Sequence, residues 1–226
     1  MASPLDLQQQ EQLDALKSFW GRFGTLIMWV LIAVLGGLAA WGAFDWYKRS
    51  QAVEAAVMFD ALERAAIAGD AARVEQVFAD LRQQYPRTAY AAKGGLVAAR
   101  LQLQTQRDAA RTALQWVADE GRIAELREVA RLRLAGVLID DGKVAEAIRV
   151  LDAVALPAFA ALVADRRGDA LMALDRRDQA RAAYQAAWAA MSPELGYRQL
   201  VEAKLTALGA APVPAAAAAA AEGAAR

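Results

Sequence analysis

The 226-residue chain is long enough for one domain of ordinary size plus short additional segments. Hydrophobic residues make up 57% of it and alanine, the strongest helix former, about a quarter, so the composition predicts an all-α protein. Histidine and cysteine are absent, which excludes disulfides, Cys/His zinc sites and nucleophiles activated by histidine. Because 26 basic residues balance 26 acidic ones, no positive surplus favours binding to nucleic acid.

An uncharged stretch follows a short N-terminal tail, residues 1–22. It runs from Phe23 to Phe44 and lies between the charged residues Arg22 and Asp45. As a helix it is about 33 Å long, enough for the hydrocarbon core of a bilayer. The alternatives are a cleaved signal peptide and a buried core helix. A signal peptide has a shorter apolar region and a small-x-small cleavage site, whereas this run is longer and ends in aromatic residues. We therefore expect residues 23–44 to form one uncleaved transmembrane helix.

Small residues within this span suggest a face for close helix approach. Pairs of alanine and glycine four residues apart form a smooth stripe, which is a possible intramembrane helix contact: Ala33, Gly36, Gly37 and Ala40. Ordinary small residues of a transmembrane helix are an equally good interpretation. Two basic residues closely precede the span and two follow it, so charge alone does not decide its orientation.

Behind the span, residues 45–208 show a hydrophobic period of 33 to 37 residues, which predicts a tetratricopeptide-like helical-hairpin solenoid of about four hairpins. In such a repeat a small residue lets two helices cross closely, and glycine marks the turn between them. Aligning the copies assigns six repeat-packing residues: Ala98, Ala135, Gly142, Ala147, Gly168 and Ala180. In the last copy Asp175 stands where the turn glycine is expected.

The chain after the hairpins predicts a cap and a tail. A final helix is expected from Pro193 to Leu208, where it would cover the open end of the solenoid. Gly209 is expected to stop that helix. Residues 209–226 are rich in alanine and proline, with little to bury, and we expect them to be disordered.

The charged residues offer few candidates for chemistry. The pairs Asp119–Glu120 and Asp140–Asp141 are interpreted as solvated turn residues, because adjacent side chains do not face one another on a helix. The pairs Arg166–Arg167 and Arg176–Arg177 would suit a groove for an acidic peptide or chain terminus. Interleaved aspartates favour the simpler interpretation, surface ion pairs within the chain: Asp165, Asp169, Asp175 and Asp178.

A catalytic set cannot be assembled from these residue types, and no GxxxxGK phosphate loop occurs. We therefore predict a protein without enzymatic activity, cofactor, metal or small-molecule substrate. Membrane attachment and a repeat surface for other proteins are the expected properties.

Two stretches carry a resemblance to a known family. QEQLDALKSFWGRFGTLI, from Gln10 to Ile27, resembles the amphipathic lead-in of the bacterial YfgM family, the ancillary subunits of the SecYEG translocon. AALVADRRGDALMALDRRDQARAAYQAAW, from Ala160 to Trp188, resembles its last hairpin, including the ADxRGDAL core. The resemblance covers residues from about 10 to 208.

The resemblance implies a single-pass protein of the bacterial inner membrane, with its N-terminus in the cytoplasm and its repeats in the periplasm. It further implies an interaction scaffold whose partners are the SecYEG translocon, periplasmic chaperones and translocating client proteins. An alternative is a structural assembly factor for another envelope complex, which would use the same solenoid to hold its components together.

Overall fold

The computed structural model describes residues 4 to 210, and its regular structure in this range is entirely helical, which confirms the all-α prediction. Nine α-helices and one short 3-10 helix follow one another along the described chain: α1 (Pro4–Ile67), α2 (Ala71–Gln84), α3 (Ala89–Gln102), α4 (Arg107–Glu120), α5 (Ala124–Asp140), α6 (Val144–Asp152), the 3-10 helix (Pro157–Phe159), α7 (Ala160–Ala173), α8 (Arg177–Ala190) and α9 (Tyr197–Ala207). Most of the tail expected at 209–226 lies outside the described residues.

Two compact units divide the chain, residues 1–51 and residues 52–226. The first unit holds most of α1. This helix includes a segment, Glu11–Ile67, whose most apolar window has a mean hydropathy of 2.2 and is only 6% buried. By length and composition it is the one helix in the described chain able to cross a membrane. The predicted span, residues 23–44, lies within it.

The second unit stacks its helices in chain order. The C-terminal part of α1 contributes the buried residues Phe59 and Leu62 to a core shared with α2 to α6. A second apolar cluster joins α8 to α9 and includes Tyr184, Trp188 and Leu205. Each helix contacts its chain neighbour from α2 to α9, which is the pattern of hairpins that bury one another. The predicted start of the repeat domain at residue 45 stays a prediction.

One backbone motif ends four of the helices. Gly69, Gly142 and Gly209 have φ values of 72°, 74° and 70°, and Asp175 has a φ of 56°. The N–H groups at and after each residue bond back to the helix, as in Lys143 N to Leu138 O at 2.8 Å. Such αL termini favour glycine, although aspartate tolerates this conformation better than most residues do. Asp175 therefore forms the same turn as the glycine that the repeat pattern would place there.

The predicted repeat-packing residues separate into two roles. Four alanines are fully buried: Ala98, Ala135, Ala147 and Ala180. Gly168 is buried too, and a Cβ there would lie 2.5 Å from Tyr184 Cδ1 and 2.8 Å from Cζ, since α7 and α8 approach closely. Gly142 is different: it is exposed, and a Cβ would meet nothing within 4 Å. It serves the turn by its positive φ, as expected for the glycine between the two helices of a hairpin, and it makes no close packing contact.

The capping helix starts later than predicted. α9 begins at Tyr197, because residues 192–196 form a turn in which Leu195 N bonds to Ser192 O at 3.1 Å. Leu195 and Leu200 consequently remain about half exposed, at 52% and 48%, whereas the predicted contacts Val201 and Leu205 are fully buried. Pro193 thus belongs to the connection and not to the helix.

A charged network ties α9 to α7 and α8. Asp165, only 1% exposed, accepts hydrogen bonds from Tyr197 Oη at 2.7 Å and Lys204 Nζ at 2.8 Å. Asp169 accepts from Lys204 Nζ at 2.6 Å and Tyr184 Oη at 2.8 Å. Burial, and then the hydrogen bonds to these carboxylates, raise the pKa of both tyrosines, which therefore stay protonated as donors.

This network corrects the prediction that the interleaved aspartates are all surface partners of arginine. Asp175 and Asp178 do pair with Arg177 and Arg181 on the surface. Asp165 instead faces the core, because residues four apart on a helix share one face and that face of α7 packs against α9.

The close crossing of α7 and α8 generates a stability prediction. Gly168→Ala should lower the free energy of unfolding by about 1 to 3 kcal/mol, because the new Cβ overlaps the buried Tyr184 ring. Gly136→Ala is the matched control, since its Cβ would lie an ordinary 3.6 Å from the flexible Arg166 side chain. That control should be neutral or slightly stabilising. The free energy of unfolding of each variant can be measured by thermal and urea unfolding monitored by circular dichroism. Equal values for Gly168→Ala and Gly136→Ala would contradict the packing role.

The buried network generates a second prediction. Lys204→Ala should cost about 3 kcal/mol, because it leaves the Asp165 carboxylate buried without its cation. The control Lys143→Ala removes an exposed lysine for which the structure shows no ion pair among the described residues, and it should leave stability nearly unchanged. Equal midpoints for wild type and Lys204→Ala in urea would disprove an energetic role for the network.

Candidate protein-interaction surface

A groove of about 570 Å³ lies between α5, α7 and the connection from α8 to α9. We call it the α5–α7 groove. Its walls are predominantly apolar and include Leu132 of α5, Phe159 of the 3-10 helix, Leu162 of α7 and Met191 after α8. The charged residues that line it are two arginines, Arg133 and Arg166, and no acidic residue of the described chain lines the groove. It thus combines apolar contact with positive charge.

A buried carboxylate holds one wall of this groove. Glu128 of α5 is 2% exposed, and its Oε1 accepts a hydrogen bond from Ala155 N at 3.3 Å. Arg131 pairs with Glu128 at 3.0 Å and donates to Ala153 O, also at 3.0 Å. These contacts fix the connection that leads from α6 into the 3-10 helix and Phe159. The opposite wall includes Tyr197, which the Asp165 network holds.

The two arginines of the groove differ in their partners. Arg166 pairs with Asp169 at 2.9 Å and lies against Gly136 of α5. Arg133 is exposed, donates weakly to Leu96 O at 3.5 Å, and has no carboxylate within 4 Å among the described residues. Loss of surrounding water, followed by repulsion from Arg100, lowers the pKa of Arg133, although an arginine remains charged at neutral pH. Its charge is therefore available to a ligand.

Of the two arginines in the groove, only Arg166 was among the predicted candidates. Of the predicted pairs, Arg166 lines the groove, whereas Arg167 pairs with Asp152 at 2.5 Å and Arg177 with Asp175 at 3.1 Å. Arg133 was missed. The available signal was its repeat position: Arg133 precedes Ala135 by two residues, as Arg166 precedes Gly168 by two.

Other depressions in the second unit carry both signs of charge. One of about 500 Å³ is lined by Arg82 and Arg111 but also by Asp119 and Glu120. Another, of about 520 Å³, has Arg100 opposite Glu63. Balanced charge of this kind gives less preference for a charged ligand. The α5–α7 groove differs from both by its lack of acidic lining residues.

The acidic pairs singled out in the sequence do not form a ligand site. Asp119 lies in the last turn of α4, where its carboxylate accepts a hydrogen bond from Gln115 at 2.8 Å. Asp141 is less solvated than predicted, because Arg107 and Arg111 of α4 reach it at 3.1 and 3.6 Å. Within the described range, no three histidine, cysteine or acidic side chains group as metal ligands would.

The small-residue stripe of the first unit is exposed along α1: Ala33, Gly36, Gly37 and Ala40. A Cβ added at Gly36 or Gly37 would meet nothing within 4 Å. The stripe is thus accessible to another helix, and its role as an intramembrane contact stays a prediction.

Comparison with known proteins identifies the family. The model for a tetratricopeptide repeat-like domain matches residues 17–210, which is most of the chain. The chain is also 29% identical over 204 residues to the "Ancillary SecYEG translocon subunit" of Neisseria gonorrhoeae, covering 89% of this chain and 98% of that protein. No solved structure matches. These findings confirm the predicted tetratricopeptide-like fold and the resemblance stated from the sequence: the chain belongs to the tetratricopeptide repeat-like family and, within it, to the YfgM family.

Proposed function

We propose that this protein is a membrane-anchored interaction scaffold associated with the SecYEG translocon. The observation that carries the proposal is the combination, in one chain, of a helix able to span a membrane and a tetratricopeptide-like unit, matched over nearly its full length to an ancillary translocon subunit. Stacked helical hairpins present extended surfaces of the kind that repeat proteins use to bind other proteins. A binding role fits these features better than a catalytic one.

The finer part of the proposal concerns sidedness and clients. We place the N-terminus in the cytoplasm and the repeats in the periplasm, at the bacterial inner membrane, as the family resemblance implies. There the repeat unit would link emerging secreted proteins to periplasmic chaperones. The α5–α7 groove is the surface best suited to such contacts, because its apolar walls are accessible and no carboxylate of the described residues neutralises the charge of Arg133.

Anchoring explains how weak contacts would suffice. A binding unit joined covalently to a membrane helix next to a channel meets the emerging chain at an effective concentration that reaches about the millimolar range. Modest affinity then gives high occupancy together with rapid release. This suits a protein that hands its clients on.

Photocrosslinking tests the association with the translocon. With a photoreactive residue at Gly37, full-length protein in cells should form adducts with translocon subunits, because small side chains permit close helix approach. The matched position is Leu35, which lies about 200° around the helix from Gly37 and should give far fewer adducts. Reproducible capture of another envelope complex instead, from both positions and from the groove residue Ala158, would replace this proposal by the assembly-factor alternative.

Reporter fusions test the orientation. Alkaline phosphatase, which folds to its active form in the periplasm, should be active when fused after Leu208, and a green fluorescent protein at the same point should be dark when exported unfolded. Fusing the same two reporters before residue 10 supplies the control with the opposite expected pattern. An inactive phosphatase and a bright fluorescent fusion after Leu208 would reverse the assigned topology.

A further inference from the structure

We propose that the α5–α7 groove binds an extended peptide segment in which an apolar side chain stands next to a carboxylate. The carboxylate would pair with Arg133, and the apolar side chain would pack on the wall formed by Leu132, Phe159 and Leu162. This inference rests on the proposed scaffold function and names the chemistry of its client.

The unused hydrogen-bonding capacity of Arg133 supports the carboxylate. A guanidinium carries five N–H donors in a planar fork that matches the two oxygens of a carboxylate. In Arg133 the structure shows one of them in use, at the long distance of 3.5 Å to Leu96 O. No carboxylate of the described residues lies within 4 Å of it, whereas Arg166 beside it already pairs with Asp169 at 2.9 Å. The unmatched charge is thus that of Arg133.

Charge complementarity identifies the sign of the ligand. The charged side chains that line the groove, Arg133 and Arg166, are both positive. Since no acidic side chain of the described residues lines the groove, an incoming anion meets no negative charge there that would repel it. A cationic segment would be repelled by Arg133 and Arg166 and would gain no electrostatic attraction in the groove. The groove therefore selects for negative charge.

The walls identify the rest of the ligand. The lining residues Leu132 and Met191 are almost fully buried, while Phe159 and Leu162 are partly exposed, so part of the apolar wall is accessible to a ligand. Its volume of about 570 Å³ falls in the range of pockets that enclose small ligands. That space suits one large apolar side chain with its neighbouring backbone. A diacyl lipid would leave most of both chains outside it.

Carboxylates in peptides come from the chain terminus or from aspartate and glutamate, and the test separates these sources. Full-length protein in phosphatidylcholine nanodiscs would be titrated, by fluorescence anisotropy, against three fluorescein-labelled peptides. The first is Gly-Ser-Gly-Ala-Leu-Phe with a free C-terminus, the second is its C-terminal amide, and the third is the amide of Gly-Ser-Gly-Ala-Leu-Phe-Glu-Gly. Empty nanodiscs measure adsorption to lipid.

The free acid should bind at least about tenfold more tightly than the amide of the same sequence, because a charge-assisted pair is lost with the carboxylate. Recovery of binding by the glutamate peptide would show that a side-chain carboxylate serves as well as the terminus. Its failure to bind would assign the site to chain termini. Equal binding of acid and amide would overturn the proposal.

Variants of the groove give the sharper test. Arg133→Gln should weaken binding of the acid about tenfold and leave binding of the amide unchanged. Arg87→Gln removes an exposed arginine outside the groove and is the control for net charge. Ala158→Glu places a competing carboxylate on the exposed rim and should also weaken binding, whereas Ala158→Gln should not. Equal effects of Arg133→Gln and Arg87→Gln would contradict a specific site.

Further results distinguish peptide binding in the groove from lipid binding there, and from the association with the translocon. Loss of peptide binding on changing the nanodisc lipid to anionic phosphatidylglycerol would assign the groove to lipid headgroups and overturn the proposal. Translocon adducts from Gly37 that persist when no peptide binds would show that the groove inference alone has failed. Absence of those adducts, with acid-specific peptide binding intact, would instead disprove the association with the translocon.

Discussion

Close approach of helices at small residues is the constraint on which the repeat unit depends. At Gly168 the backbone of α7 lies so near the Tyr184 ring that even a methyl group would overlap it, and buried alanines occupy the corresponding crossings at Ala98 and Ala135. Short helices cannot bury enough apolar surface alone, so stability comes from contact with neighbours. Close crossings allow each helix to touch both its hairpin partner and the next hairpin.

Buried charges then determine where the ends of helices lie. Glu128 and Asp165 are both nearly inaccessible to solvent. Glu128 accepts a hydrogen bond from the connection after α6, and both oxygens of Asp165 accept from α9. An ion pair of this kind stabilises little in net terms, since desolvation offsets most of the attraction. Its effect on helix placement is larger, because any packing of the helices that left the buried carboxylate unpaired would be much higher in free energy. The two walls of the α5–α7 groove are placed in this way.

The groove and the apolar N-terminal segment would contribute to binding through different interactions, charge pairing in the groove and the hydrophobic effect in the segment. The exposed apolar surface of residues 23–44 is of the kind that partitions into lipid whatever its exact sequence, and such an anchor would concentrate the chain at a membrane. The groove offers an unpaired guanidinium beside apolar walls, which discriminates between ligands by charge. An interaction scaffold needs both attachment at the place where its ligands occur and a modest preference for ligands of one charge. The family match to an ancillary translocon subunit is consistent with that division.

The sequence by itself determined the features that depend on local properties of the chain. An uncharged run of membrane length, a high alanine content and glycines after helix ends act over a few residues, so the apolar N-terminal helix, the helical class and the turns at Gly69 and Gly142 were predictable. Only the tertiary structure decided that Asp165 is buried and Arg133 unpaired. Asp165 bonds to Lys204, 39 residues away, and Arg133 lacks a carboxylate partner because no acidic side chain in the described part of the chain comes within 4 Å of it. Helical periodicity gives the face of a residue, whereas its neighbour on the next helix depends on how the helices pack.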